Sequence, residues 1–268
     1  MIELMDRVIC DEKDFKIVKL RKEDIYNGSL ILVNKNHKFL GSNLDLIEVD
    51  DTYLYKYDQS PMYVSKLMDN SLKELIDAIN GQQKMVAVSG YRSKDEQREI
   101  YDKSIFENGI EFTRKYVARP MESEHQTGLA IDLGEVVENI DFICPSFPDI
   151  GICKEFKDLA KSYGFVMRYS YDKEDITGIS EEKWHFRYVG RPHAEIMDKY
   201  NFCLEEYMDF IVDFTFDNRY LFTTDKQEKV QVYYIEGKGD NTEIKIDSNK
   251  KYSVSGNNIN GFIVTVWL

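Results

Sequence analysis

The sequence predicts an α+β fold, a mixed or antiparallel sheet with helices, followed by a small β-rich C-terminal appendix. Three observations lead there. Helical and strand-like segments mix without the regular strand-helix-strand alternation of a doubly wound sheet. From about residue 216 the texture turns to strands alone, cut by Gly, Asn, Asp and Lys turns. Finally, 268 residues with 43% hydrophobic and 31% charged suffice for one substantial core and a small addition. The expected division is therefore residues 1–215 and residues 216–268, with the boundary in the charged segment Asp213 to Asn218.

Residues 1–60 combine short apolar runs such as Leu30-Ile31-Leu32-Val33 with Gly, Asn and Asp, which predicts strands and loops. Leu72, Leu75, Ile76 and Ile79 fall at i, i+3, i+4 and i+7 with Gly81 at the C-cap, so a helix is expected from Ser71 to about Asn80. Met85-Val86-Ala87-Val88 reads as a short buried strand. Ser93 and Glu96 form a capping box that opens a helix to about Phe106, and the turn before it holds Gly90-Tyr91-Arg92. Leu129 to Leu133 is strand-like. Ile152, Phe156, Leu159, Ala160 and Tyr163, closed by Gly164, make an amphipathic helix, and Phe165-Val166-Met167 follows as a strand. Trp184 to Val189 is another strand, and Pro192 opens a helix toward Tyr200. The tail strands are Tyr220 to Thr223, Val230 to Ile235, Thr242 to Ile246, Lys251 to Val254 and Phe262 to Leu268.

Charge narrows the function classes. Thirty-five Lys and Arg against 48 Asp and Glu give 35 − 48 = −13, which repels phosphate backbones and anionic lipid surfaces, so no nucleic-acid partner is expected. No run of about 18 apolar residues exists, so no membrane span is expected. The first twenty residues break every apolar run with charge, unlike a signal peptide or anchor. Cys10, Cys144, Cys153 and Cys203 are far apart and form no CxxC pair. Reduced thiols in a cytoplasmic protein are the expectation, and a disulfide framework has no positive support.

The histidines are His37, His125, His185 and His193, and no two have the i, i+4 spacing of the HExxH zinc helix. His125 and Asp132 lie seven residues apart in SEHQTGLAID, around a Gly turn and a short strand. Glu182 precedes His185 by three in EKWHFRYVG. Two imidazoles and a carboxylate suffice to hold a catalytic zinc with one position open, and a further carboxylate can act as base. On residue type and distance alone, turn and capping roles account for these residues better. The conjunction with SGYRSKDEQ, residues 89–97, reverses that. Together the three segments resemble the marks of the zinc D-Ala-D-Ala carboxypeptidases of the VanY type: an SGYRS turn followed by a Gln, then SxHxxGxAxD, then ExWH. The likeness runs from Leu30 to about Tyr200 and is closer still to the bifunctional D,D-dipeptidase/D,D-carboxypeptidases of the VanXY type.

The resemblance implies a Hedgehog/D,D-peptidase-like fold and one Zn2+ per chain, held by His125, Asp132 and His185. It puts the general base on Glu182 and a transition-state arginine on Arg92, and it matches Gln97 and Ser123 to positions that hold the terminal D-Ala. Each has a plainer alternative. Glu182 could be a solvated acid beside Glu181, and in an unbroken strand it faces away from His185, so it needs a turn or bulge before the strand, which Gly178 to Glu181 could supply, to reach the same metal. Arg92 precedes a helix N-terminus, where the macrodipole disfavours a cation; it could simply pair with Glu124 or Glu135. Gln97 could face solvent, and Ser123 could be an ordinary loop residue. Trp184 is expected to pack under the metal, and His37 and His193 to be structural. The stretch Tyr169 to Asp175 is placed to shape the cleft.

The expected activity is therefore zinc-dependent hydrolysis of D-Ala-D-Ala, of the terminal D-Ala of peptidoglycan precursor pentapeptides, or of both, in vancomycin resistance. A wall-recycling D,D-carboxypeptidase and a noncatalytic peptidoglycan-binding module with a structural zinc are the competing readings.

Overall fold

The computed structural model describes Arg7, Val8, residues 15–42 and residues 44–268. Its strands are β1 (Arg7–Val8), β2 (Phe15–Arg21), β3 (Leu46–Glu48), β4 (Tyr55–Lys56), β5 (Tyr63–Ser65), β6 (Met85–Ser89), β7 (Ala130–Glu135), β8 (Phe165–Tyr169) and β9 (Glu182–Tyr188). There follow β10 (Arg219–Thr223), β11 (Lys229–Glu236), β12 (Asn241–Asp247), β13 (Tyr252–Gly256) and β14 (Gly261–Trp267). The helices are α1 (Lys66–Ala78), α2 (Lys94–Asn108), α3 (Ile110–Tyr116), α4 (Gly151–Ala160), α5 (Glu174–Thr177), α6 (His193–Tyr200) and α7 (Leu204–Ile211).

Two compact units form, one from Val33–Phe39 and Asn43–Ala194, the other from the described residues up to Leu32, Leu40–Ser42 and Glu195–Leu268. The first is built on a five-stranded sheet of order β4-β6-β7-β9-β8, parallel only between β4 and β6. This is the α+β arrangement the sequence predicts. α1 buries Met68, Leu72, Leu75 and Ile76; it begins at Lys66 rather than Ser71 because Met68 extends the apolar stripe back by one turn. α4 buries Phe156, whose ring lies 5.9, 6.4 and 4.8 Å from those of Phe147, Phe165 and Phe186. Phe186 is the neighbour of His185 on β9, so this aromatic cluster anchors the strand that carries a candidate ligand. The capping box of α2 is formed as expected: Glu96 N–H donates to Ser93 Oγ (3.2 Å) and Ser93 N–H to Glu96 Oε2 (2.7 Å).

The second unit contains an antiparallel sheet of order β1-β10-β11-β14-β13 and the two-stranded pair β2–β12. Its core includes Tyr233, Ile244, Ile246, Val264 and Val266. The tail strands read from the sequence are all there, but the division at residue 216 is redrawn. β2 pairs with β12 from Phe15↔Asp247 to Arg21↔Asn241, and β1 pairs with β10, so N-terminal strands complete sheets made by the tail. Residues 195–215, including α7, also belong to this unit. Leu30, Ile31 and Leu32 are buried but not a strand. Their polar groups turn to the tail instead: Leu30 N–H donates to Ser255 Oγ (2.9 Å), Leu32 N–H to the Asn257 carbonyl (3.1 Å), and Asn258 Nδ2 donates to the Leu32 carbonyl (2.8 Å).

Among the described residues no helix is long and apolar enough to cross a membrane. Cys153 and Cys203 are buried and Cys144 half-buried, and all three are thiols; Cys10 lies outside the described residues.

Candidate active site

The candidate site lies wholly within residues 89–185 of the first unit. His125 sits in a 3-10 turn, Glu124–Thr127, that ends at Gly128 with φ +70°. The left-handed backbone at Gly128 favours glycine, and a Cβ there would press on Leu46 Cδ2 at 2.7 Å and on the Ser65 backbone nitrogen at 3.1 Å. The chain then enters β7, which lies between β6 and β9, and Asp132 pairs with Ser89 on one side and His185 on the other. Cross-strand pairing thus puts Asp132 beside His185, and the turn brings His125 back to both. Asp132 Oδ2 is 3.1 Å from His125 Nε2, and Oδ1 is 2.8 Å from His185 Nδ1. The three ligand atoms lie within 4.8 Å of one another and all three residues are buried.

Both imidazoles are oriented by what their other nitrogen meets. His125 Nδ1–H donates to the Gly90 carbonyl at 2.7 Å, which leaves Nε2 for the cluster. His185 Nε2 faces Glu124 Oε2 at 3.6 Å, too long for a formed hydrogen bond, and neither atom has a hydrogen-bond partner among the described residues. Tyr169 stacks on the His185 ring with centroids 5.1 Å apart.

Glu182 is the first residue of β9, and its Oε2 is 3.9 Å from His185 Nδ1. The bulge the spacing requires lies inside the strand rather than before it. Between the pairs Met167↔Phe186 and Tyr169↔Glu182, β8 advances two residues while β9 advances four. Arg92 donates through Nε to Ser89 Oγ (2.8 Å), through one terminal nitrogen to Gln97 Oε1 (3.1 Å), and through the other to Asp132 Oδ2 (3.0 Å). Its carboxylate partner is thus Asp132, not Glu124 or Glu135. Gln97 is buried rather than solvent-facing, and its Nε2 donates to the Ala118 carbonyl at 2.7 Å. Arg92, Gln97, Ser123, His125, Asp132, Glu182 and His185 all line one pocket of about 40 Å³, and Trp184 lines it too. His193 and His37 stand apart from it: His193 is buried, and His37 sits in a turn with Asn34.

Burial and charge divide the titrations. Among the protein groups alone, burial and then Arg92 push His125 down to about 4. Burial opposes the charged form of His185 as well, but its contacts with Asp132 and Glu124 carry it up to about 9. Burial would raise Asp132, yet His125 and His185 hold it well below the carboxylate range. Burial raises Glu182 to about 8, with His185 opposing and Asp132 adding to the rise.

A buried ion cluster behind His185 escapes the sequence reading. Glu124 Oε1 accepts from Arg168 Nε at 2.8 Å and lies 2.9 Å from a terminal nitrogen of Arg187. All three residues are buried. Its signal was available: each arginine stands between apolar residues in a strand, at Met167-Arg168-Tyr169 and Phe186-Arg187-Tyr188, where a solvated charge is out of place.

Residues 61–191 match the family described as VanY: D-alanyl-D-alanine carboxypeptidase. The chain is 39% identical over 185 residues to the bifunctional D-Ala-D-Ala dipeptidase and D-Ala-D-Ala carboxypeptidase VanXYC of Enterococcus gallinarum, covering 69% of this chain and 95% of that one. It belongs to the VanY family of D-alanyl-D-alanine carboxypeptidases. The crystal structure of the vancomycin resistance D,D-dipeptidase VanXYg, in complex with a D-Ala-D-Ala phosphinate analog, superposes on this VanY-family chain with a TM-score of 0.89 at 49% identity, over 95% of this chain and 99% of that one. A variant of the D,D-pentapeptidase VanY from a VanB-type resistance cassette, solved in complex with Zn(II), gives 0.53 at 29% identity over 67% and 98%. The fold and the peptidase class follow from this membership.

Proposed function

We propose that this chain is a cytoplasmic, zinc-dependent D,D-peptidase of vancomycin resistance that hydrolyses D-Ala-D-Ala and removes the terminal D-Ala from peptidoglycan precursor pentapeptides. The observation that carries the reading is the convergence of His125, Asp132 and His185 with Glu182 and Arg92 in one buried pocket. Relatives whose names describe D-Ala-D-Ala cleavage support the substrate, and the thiols support the compartment.

The donor set fits zinc. Imidazole nitrogen and carboxylate oxygen are its ordinary ligands, three protein ligands leave a position open, and the outward nitrogens of both histidines are turned to Gly90 and Glu124. When bound, zinc supplies Lewis acidity and a water acidified to a pKa of about 7. Glu182 then manages the proton: its carboxylate accepts one from the attacking water and returns it to the leaving amine nitrogen. Arg92, fixed by Ser89, Gln97 and Asp132, offers its charge to the carbonyl oxygen as that oxygen becomes negative. Ser123 and Gln97 orient the terminal carboxylate; Gln97 keeps one amide hydrogen beyond the bond to Ala118 for that purpose. Removing D-Ala-D-Ala termini withdraws the target of vancomycin.

The test is release of D-Ala by the zinc-loaded protein from D-Ala-D-Ala and from an acylated pentapeptide. Glu182→Ala should retain zinc and lose at least about 10²-fold in kcat. Zinc binding by the wild type without D-Ala release from either substrate would replace this reading with the noncatalytic binding module.

A further inference from the structure

Beside the ligand pocket lies a larger cavity of about 390 Å³, against about 40 Å³ for the pocket itself. Val117, Ala118, Tyr169 and Ile179 line both, so the two adjoin. The charge of the larger one opposes that of the chain. Exposed Lys35, Arg114 and Arg119 line it, and the lone acid in its wall is Glu122, in a protein whose formal charge is −13.

These cations are only lightly engaged. Among the described residues no carboxylate lies within ion-pair distance of Lys35. Arg114 reaches Glu111 at 3.6 Å, a contact between two exposed side chains, and Arg119 Nε donates to Tyr101 Oη at 3.4 Å. Gly178, with φ +75°, makes room for the lysine: a Cβ there would fall 3.0 Å from Lys35 Nζ. Guanidinium forks and an ammonium around one concavity match a carboxylate.

The reaction fixes which side of the substrate such a cavity serves. A D,D-dipeptidase or carboxypeptidase releases one residue, so the leaving side of the scissile bond holds a single D-Ala. A second cavity therefore has a use only for what precedes that bond. We propose that the cavity bounded by Lys35, Arg114 and Arg119 is a subsite for a carboxylate carried by an acidic residue on the acyl side of a longer peptide substrate. The inference rests on the peptidase reading above, and it makes the choice between dipeptide and longer peptide partly electrostatic.

Three substrates test it on the zinc-loaded protein: D-Ala-D-Ala, and two N-acetylated peptides ending in D-Ala-D-Ala that differ only in a glutamyl or glutaminyl residue ahead of the terminal pair. The wild type should favour the glutamyl peptide on the order of tenfold in kcat/KM, mainly through KM, and the preference should fade in about 1 M salt. Lys35→Glu combined with Arg119→Glu should abolish or invert the preference while D-Ala-D-Ala kinetics stay within about twofold. Equal handling of both acylated peptides by the wild type overturns the proposal. So does an equal loss on both in the double variant, or a loss of D-Ala-D-Ala turnover with zinc still bound. If the wild type releases D-Ala from none of the three, it is the peptidase reading that fails, and the subsite with it.

Discussion

Replacing Glu124 with alanine would strip Arg168 and Arg187 of the carboxylate that both contact, at 2.8 and 2.9 Å, in a region where all three side chains are at most 2% exposed. Removing one partner of a buried ion pair costs about 3–5 kcal/mol, a large share of the roughly 5–15 kcal/mol that holds a domain folded. Glu124→Ala should therefore lower the stability of the chelated protein by at least about 3 kcal/mol in urea denaturation. Glu124→Gln is the sharper probe, because it keeps the volume and an acceptor for Arg168 while losing the charge that faces His185 Nε2. Loss of such an outer partner costs about 10–100-fold in metal affinity, or about 1.4–2.8 kcal/mol. Competition with a chromophoric chelator should show that drop in folded Glu124→Gln. The pH dependence has a definite sign. Burial would raise the Glu124 carboxyl, but Arg168, Arg187 and His185 outweigh it and depress it below its ordinary 4.5. Its contribution is therefore fully present above about pH 4.5 and fades as pH falls through the depressed value, so the gap between wild type and Glu124→Gln should narrow in acid. Wild-type zinc affinity in Glu124→Gln would reduce Glu124 to a counterion of the arginines. A loss below about 1 kcal/mol in Glu124→Ala would refute the burial argument itself.

Glu182 predicts the opposite pH behaviour in the chelated protein. Its folded value is raised to about 8 from 4.5, so stability is fully present below about 4.5 and lost progressively as pH rises to about 8; in thermal unfolding Glu182→Gln should match the wild type in acid, exceed it increasingly between about pH 4.5 and 8, and keep a constant advantage above that. Arg92→Ala should lose about 10²–10³-fold in kcat with zinc retained, and Arg92→Lys should fall nearly as far, because an ammonium cannot meet Ser89, Gln97 and Asp132 in their present geometry; a lysine variant near wild type in steady-state kinetics would refute the fork. Gly128→Ala should destabilise by about 1–3 kcal/mol and weaken zinc binding together, since the strained turn aims His125; unchanged denaturation and chelator competition would contradict this.

Much of this site could be read in the sequence because its constraints are local. His125 and Asp132 are separated by one turn and the start of one strand, and Ser93 with Glu96 fixes where α2 begins just beyond Arg92. The helices read best where an apolar stripe repeats, as in α1 and α4. α7 carries the same signal, with Leu204, Tyr207, Met208 and Ile211 buried at i, i+3, i+4 and i+7, in the stretch between Tyr200 and the tail where no element was expected. Residues 30–32 show the limit of apolar runs: they specify burial, and the choice of an irregular path is made by Ser255, Asn257 and Asn258, more than two hundred residues away.

What the sequence withheld depends on which strand pairs with which. A strand's own residues state its two faces, not its neighbour, so nothing in Phe15–Arg21 says that its partner is Asn241–Asp247. The same holds inside the site. Asp132 meets His185 because β7 lies beside β9, and Glu182 turns to the same pocket because the β8–β9 register slips. A second irregularity, between Ala87 and Ser89 on β6, sits opposite Asp132 on its other side, where Ser89 reaches Arg92. Bulges bend a strand and re-aim its side chains, and here they flank the strand that holds the central carboxylate. Family motifs record the outcome of that geometry as spacing. The register and the Glu124–Arg168–Arg187 cluster supply its cause, which is why a charge directly behind His185 is expected to move zinc affinity.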